Sequence, residues 1–98
     1  MKENPVILVV EDDAAVRQGV VDALSFAGYE VIAAADGREG MERALKASYQ
    51  LMLLDLVMPH FSGFDILGAL REERPGQPVI ILCLQTKSGR SGSLSANS

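Results

Sequence analysis

The fold of this chain is decided near its N-terminus by the stretch VILVVEDD, residues 6–13. Its first five residues are all β-branched or aliphatic, a pattern typical of a strand that is buried on both faces of a parallel sheet. Three acidic residues, Glu11, Asp12 and Asp13, follow at once and end the apolar run. The stretch therefore predicts a central strand with carboxylates at its carboxyl end.

A helix is predicted directly after this strand. Apolar side chains recur at helical spacing, at Val16, Val20, Leu24 and Ala27. Arg17 falls on the polar side of the same helix, where we expect an exposed side chain. Asp13 is a suitable N-cap, and Gly28 is a suitable stop at the C-terminal end.

The rest of the chain repeats this alternation. Further apolar runs predict strands over 30–35, 51–54 and 79–84. A helix with Met41, Ala44 and Leu45 on one face follows the second strand, and a helix containing Phe64, Ile66, Leu67 and Leu70 follows the third. Alternating strands and helices indicate βαβ units with right-handed crossovers. The expected fold class is α/β, with a doubly wound parallel sheet.

Composition and charge limit the classes of partner. The chain has 98 residues, which is room for one domain, and its formal net charge is -4. An acidic chain without a stripe of Lys and Arg argues against binding to nucleic acid or to an anionic membrane surface, because both require clustered positive charge. A divalent cation is the expected ionic partner.

The cysteine content and the N-terminus indicate a compartment. Cys83 is the single cysteine, so an intramolecular disulfide and two-cysteine metal or redox motifs are excluded. The apolar run at residues 5–10 is too short for the core of a signal peptide or for a membrane span. We therefore expect a cytoplasmic protein.

Three carboxylates are expected to meet at one edge of the sheet. Glu11 and Asp12 end the first strand, and Asp55 ends the third, which neighbours the first in the usual doubly wound order. Asp12 is also compatible with a helix cap and Glu11 with a solvated side chain. Asp55, however, ends a wholly apolar strand with no helix directly after it to cap. An oxygen-rich cluster of this kind suits Mg²⁺.

These residues carry a family resemblance. The segments ILVVEDDAAVR (residues 7–17), LLDLVMP (53–59) and PVIIL (78–82), together with Gly63, resemble the receiver domains of two-component response regulators, in order and in spacing. The resemblance runs from about Pro5 to Leu84. It implies a flavodoxin-like receiver fold.

The resemblance also implies a function and a partner. Asp55 would accept a phosphoryl group from a phosphohistidine on a sensor histidine kinase. Mg²⁺ would be held by Asp12, Asp55 and the backbone carbonyl of Val57, with Glu11 acting through the water shell of the ion. No enzyme activity on a diffusible substrate is expected, because the sequence offers no nucleophile–base pair.

The chain departs from the family pattern at its C-terminal end. Cys83 stands where receivers of this kind have a switch Thr or Ser, and its aliphatic neighbours also suit a small core residue. The usual last helix, strand with its Lys, and helix have no counterpart, since Lys87 lies in a Ser/Gly-rich segment. We therefore expect a truncated receiver domain over 1–84 and a disordered tail over 85–98.

Two further expectations follow. A fourth strand left at the edge of the sheet is a template for pairing, so the chain should form a homo-oligomer through that strand. The alternative function is a receiver remnant that has lost switching and acts as a dimerisation or interaction module. His60, the single histidine, is expected to be a solvated loop residue.

Overall fold

A four-stranded parallel sheet forms the centre of the molecule. The computed structural model describes residues 4–59 and 61–82. In chain order the elements are β1 (Val6–Val10), α1 (Ala14–Phe26), β2 (Glu30–Ala34), α2 (Gly37–Lys46), β3 (Leu51–Asp55), β4 (Val57–Met58), β5 (Phe61–Ser62), α3 (Gly63–Glu73) and β6 (Val79–Leu82). The strand order in the sheet is β2-β1-β3-β6, with all three pairings parallel. The predicted doubly wound α/β fold is confirmed.

The main hydrophobic core lies on the side of the sheet that α2 and α3 cover. Alternate residues of a strand face opposite sides of a sheet, and Leu8 and Val10 of β1 point into this core. The other fully or nearly buried members are Ala34, Ala44, Tyr49, Met52, Leu54, Met58, Ile66 and Leu70. Aliphatic side chains thus fill the core, as expected from a chain without tryptophan.

Helix α1 lies on the opposite side, over β1 and β2. Ile7 and Val9 are buried beneath it. The helix itself buries none of its residues completely, and Phe26 at its C-terminal end is 94% exposed. Among the described residues, this side of the sheet is therefore covered less thoroughly than the core side.

Side-chain caps start the helices at the carboxyl edge of the sheet. Asp13 Oδ1 accepts from the backbone N–H of Val16 at 3.0 Å and caps α1, as predicted. Asp36 Oδ1 accepts from the N–H of Glu39 at 2.8 Å and caps α2. After α1, Gly28 has a φ of 103°, the left-handed conformation in which glycine ends a helix at little cost.

A short antiparallel hairpin follows Asp55. It consists of β4 and β5, with Val57 opposite Ser62 and Met58 opposite Phe61. Gly63 follows immediately, and a Cβ atom there would lie 2.7 Å from the carbonyl oxygen of Asp55. Glycine at this position lets the hairpin fold back closely against the end of β3.

Strand β6, the fourth strand of the parallel sheet, pairs with β3 on one side, and no strand of the described part of the chain pairs with its other side. Ile80 and Ile81 point to opposite faces of the sheet, yet they are 50% and 38% exposed. Both faces of β6 are thus partly open. The predicted extension of this strand to residue 84, with Cys83, lies outside the described residues, as do His60, Lys87 and the expected tail over 85–98.

No helix among the described residues is long enough and apolar enough to cross a membrane.

Candidate functional site

Three carboxylates meet at the carboxyl edge of the sheet. Glu11, Asp12 and Asp55 each offer one carboxylate oxygen, and these oxygens lie within 4.8 Å of one another. The register explains the meeting, because Val10 of β1 is paired with Leu54 of β3, so the next residue of each strand reaches the same edge. The predicted convergence of residues 11, 12 and 55 is therefore found in the fold.

The cluster places negative charge where water has little access. Glu11 and Asp55 are buried, and Asp12 is half-buried. At 4.8 Å two unit charges repel by about 3.5 kcal/mol if the effective dielectric constant is about 20. Positive charge must offset this repulsion.

The donor set indicates which cation fits. All three side chains offer oxygen, the ligand atom that Mg²⁺ and Ca²⁺ prefer, and Mg²⁺ usually binds through one or two carboxylates while keeping several waters. A sulfur or imidazole ligand is not part of this group of three. The residues present therefore fit a magnesium ion.

The loop that carries Glu11 and Asp12 is held by several hydrogen bonds. The backbone N–H of Glu11 donates to the carbonyl oxygen of Ala34 at 3.2 Å, which ties the loop to β2. The N–H of Asp13 donates to Glu11 Oε2 at 3.0 Å. Arg17 Nη1 donates to the carbonyl oxygen of Glu11 at 3.0 Å and to that of Asp12 at 3.5 Å.

The carboxylate of Asp55 is oriented by the chain that follows it. The backbone N–H of Val57 donates to Asp55 Oδ1 at 3.0 Å. Val57 begins β4, and the hairpin holds it in place by pairing with Ser62. The main chain of Val57, whose carbonyl the resemblance to receiver domains assigns to metal binding, thus lies directly beside Asp55.

Sequence reasoning missed two residues that shape this edge. Arg17 was expected on the exposed side of α1, but it is half-buried and reaches back to the β1–α1 loop. Ser62 caps α3 by accepting from the N–H of Phe64 at 3.1 Å. The role of Arg17 could have been inferred from its place one turn inside a helix that follows an acidic strand end. The role of Ser62 could have been inferred from its place just before a helix, where serine is a preferred N-cap.

Comparison with known proteins assigns the family. The family model described as the response regulator receiver domain matches residues 7–92. The chain belongs to the response regulator receiver domain family. The match extends beyond Leu84, the end of the resemblance seen in the sequence. Receiver domains belong to two-component systems and are generally not enzymes.

Two curated relatives show how receiver domains are built into longer proteins. The chain is 42% identical over 91 residues to a protein-glutamate methylesterase/protein-glutamine glutaminase of Archaeoglobus fulgidus. This alignment covers 92% of this chain and 26% of the relative. The chain is 42% identical over 76 residues to the transcriptional regulatory protein HprR of Escherichia coli. This alignment covers 78% of this chain and 34% of the relative. The chain thus spans about a quarter to a third of the length of these relatives.

Solved receiver structures share the fold. The response regulator TrrA of Thermotoga maritima, determined in complex with Mg²⁺ and beryllium fluoride, aligns with a TM-score of 0.72 at 29% identity, covering 96% of this chain and 81% of that one. The structure of TrrA in complex with the histidine kinase ThkA aligns with a TM-score of 0.76 at 30% identity, covering 86% and 72%. The flavodoxin-like receiver fold is thereby confirmed.

Proposed function

We propose that this receiver domain accepts a phosphoryl group on Asp55 from a sensor histidine kinase, with Mg²⁺ bound beside it. The observation that carries the proposal is the cluster of Glu11, Asp12 and Asp55, whose carboxylate oxygens lie within 4.8 Å of one another at one edge of the sheet. A dianionic phosphoryl group cannot approach such a cluster unless positive charge offsets it. Mg²⁺ supplies that charge when it is bound.

The proposed ligands divide between the side chains and the main chain. Asp12, Asp55 and the carbonyl oxygen of Val57 would bind the ion directly, and Glu11 would bind through its water shell. The buried position of Glu11 and its bond to the Asp13 N–H support a role in which this carboxylate stays fixed. Oxygen ligands of this kind and number leave sites for water and for the phosphoryl oxygens.

Asp55 is the proposed nucleophile. A carboxylate oxygen of Asp55 would attack the phosphorus of a phosphohistidine, forming the oxygen–phosphorus bond of an acyl phosphate as the nitrogen–phosphorus bond breaks. The imidazole nitrogen leaves with the electron pair of the broken bond and takes up a proton. The N–H of Val57 holds Oδ1 of Asp55 at 3.0 Å and so limits rotation of the carboxylate during attack.

The proposed partner and location follow from the same chemistry. A histidine kinase fits because a related receiver was determined in complex with one. Catalysis on a diffusible substrate, nucleic-acid binding and membrane binding are not part of the proposal. A single cysteine, Cys83, favours a reducing cytoplasmic location.

Binding of beryllium fluoride, a mimic of the phosphoryl group, tests this proposal. Fluorine NMR of the 98-residue chain should show bound fluoride when beryllium fluoride and millimolar Mg²⁺ are both present, and no bound signal when Mg²⁺ is left out. Asp55→Asn should abolish the bound signal, whereas Asp22→Asn, an exposed change on α1, should retain it. Absence of a bound signal in the parent chain would refute phosphoacceptor function.

A second candidate function is self-association through β6. The strand carries no charged residue, and its exposed Ile80 and Ile81 offer both backbone and apolar surface to a matching edge. A groove of about 420 Å³ beside it is lined by Leu67, Leu70, Arg71, Arg74, Val79 and Ile81, among other residues. We propose a second copy as the occupant.

Sedimentation velocity tests the second candidate. The parent chain should sediment as a dimer at micromolar concentration, and Ile80→Lys should shift it to monomer, because a charge on the edge opposes pairing. Phe26→Lys is the matched control, since this exposed residue at the end of α1 lies away from β6. A monomeric parent, or equal dissociation by both variants, would contradict pairing through β6.

A further inference from the structure

Arg17 contacts the metal-binding loop from the first turns of α1. Its backbone N–H donates to the carbonyl oxygen of Asp13 at 2.8 Å, so it belongs to the helix itself. Its side chain turns back toward the start of the helix, and Nη1 donates to the carbonyl oxygens of Glu11 at 3.0 Å and Asp12 at 3.5 Å. One guanidinium nitrogen thus bridges two successive peptide groups.

This geometry follows from the direction of side chains in a helix. Side chains lean toward the N-terminal end of the helix, so a long side chain in the first turns covers the residues that precede it. Arg17 is half-buried, which is consistent with a side chain folded over the loop. The two acceptors are the carbonyl groups of the two residues that bring carboxylates from β1 to the site.

Hydrogen bonds from a guanidinium group are stronger than those between neutral groups, and the group does not lose its proton in proteins. Because both bonds end on main-chain oxygens, they fix the peptide groups from which the side chains of Glu11 and Asp12 extend. The Asp13 N–H, bonded to Glu11 Oε2, closes the same loop from inside. Hydrogen bonds from within the protein therefore hold the main chain and one side chain of this loop.

We propose that Arg17 is a positioning residue of the metal site, which holds Glu11 and Asp12 in the arrangement that binds Mg²⁺. The inference rests on the proposed function, because it assigns a role within the same site. Residues that orient metal ligands from outside the coordination sphere typically account for about 10-fold to 100-fold in metal affinity. By orienting Glu11 and Asp12, Arg17 strengthens Mg²⁺ binding. Its positive charge alone would weaken Mg²⁺ binding.

The two effects predict opposite results when the charge is removed. A positive group near the site repels a cation, so Arg17→Gln would strengthen Mg²⁺ binding if charge were decisive. If positioning is decisive, Arg17→Gln weakens binding, because the loop must then be ordered by the ion itself. The sign of the change therefore separates positioning from simple electrostatics.

Titration calorimetry with Mg²⁺ is the first measurement. Arg17→Gln should raise the dissociation constant about 10-fold, and Arg17→Lys should recover part of the loss, because lysine keeps a donor but not the planar fork. Lys46→Gln is the matched control, an equal charge change at the exposed C-terminal turn of α2, and should leave the constant within about 2-fold. Circular dichroism should confirm that each variant is folded at the temperature of the titration.

Hydrogen exchange without metal is the second measurement. The amide of Asp13 should exchange faster in Arg17→Gln than in the parent, because its acceptor Glu11 Oε2 belongs to the loosened loop. Unchanged or tighter Mg²⁺ binding by Arg17→Gln, or an unchanged Asp13 amide, would overturn the positioning role while the proposed function stands. A parent chain that binds no Mg²⁺ would overturn the proposed function, and the positioning role with it.

Discussion

Replacing Asp55 by asparagine should stabilise the metal-free protein, although the replaced side chain is buried at the functional site. The change removes one charge from the cluster and keeps its shape. Asparagine can retain the bond from the Val57 N–H, which Asp55 Oδ1 accepts at 3.0 Å. The variant therefore isolates the effect of charge.

The size of the effect follows from the geometry. Two of the three pairwise repulsions in the cluster involve Asp55, and each is about 3.5 kcal/mol at the 4.8 Å limit if all groups are ionised and the effective dielectric constant is about 20. Water and relaxation of the loop reduce this sum. We expect the free energy of unfolding to rise by about 1 to 3 kcal/mol in metal-free buffer.

Mg²⁺ should narrow the difference in stability between Asp55→Asn and the parent. The parent gains about 1.4 kcal/mol when the ion is present at ten times its dissociation constant, whereas Asp55→Asn has lost a ligand and should gain far less. Urea unfolding followed by circular dichroism measures both quantities, since the chain has no tryptophan. The matched control is Asp22→Asn, an exposed aspartate that accepts a hydrogen bond from Gln18 and should change stability little.

Two results would refute this reasoning about the cluster. One is an Asp55→Asn variant that is less stable than the parent in metal-free buffer, because the charge would then be favourable in the fold. The other is equal stabilisation of the parent and Asp55→Asn by Mg²⁺, because Asp55 would then have no part in binding the ion.

Further predictions concern the packing around the site and one helix cap. Gly63→Ala should lower the free energy of unfolding by about 1 to 3 kcal/mol and weaken Mg²⁺ binding, because the new Cβ would lie 2.7 Å from the Asp55 carbonyl oxygen. Gly68→Ala, with open space around the new Cβ, should be neutral or stabilising in the same urea assay. Ile66→Ala should cost about 2 to 4 kcal/mol in that assay, since the side chain is fully buried in the core. The pKa of Glu39 is lowered, first by the hydrogen bond from the Ala35 N–H. The stabilisation that ionised Glu39 gives is therefore present above the ordinary carboxyl pKa and is lost as the pH falls through the lowered pKa. Glu39→Gln should flatten this part of the stability–pH curve, and an unchanged curve would contradict this prediction.

The parallel sheet and the acidic cluster could be predicted because both depend on short-range patterns and a general rule of topology. The run from Val6 to Val10 has no polar residue, which is typical of a central strand of a parallel sheet. Once Asp55 was placed at the end of the third run, its meeting with Glu11 followed from the adjacency of parallel strands. No long-range side-chain contact had to be known.

Three other features depend on contacts or pairings that short-range patterns do not show. Phe64 fits the apolar spacing of α3 but is 65% exposed, because the core side of that helix is already occupied by Ile66 and Leu70. The β4–β5 hairpin has two residues per strand, too few for a visible alternation. Arg17 was placed on the polar side of α1 by periodicity, which does not indicate that a long side chain reaches back to the preceding loop.

The most direct test of the central claim is the mass of the intact protein after incubation with a small-molecule phosphoryl donor. With Mg²⁺ present, the parent should gain one phosphoryl group, and the gain should be lost on chelation of the metal and in Asp55→Asn. Asp22→Asn should be modified like the parent. An unmodified parent, or a gain of mass that persists in Asp55→Asn, would contradict Mg²⁺-dependent phosphorylation of Asp55.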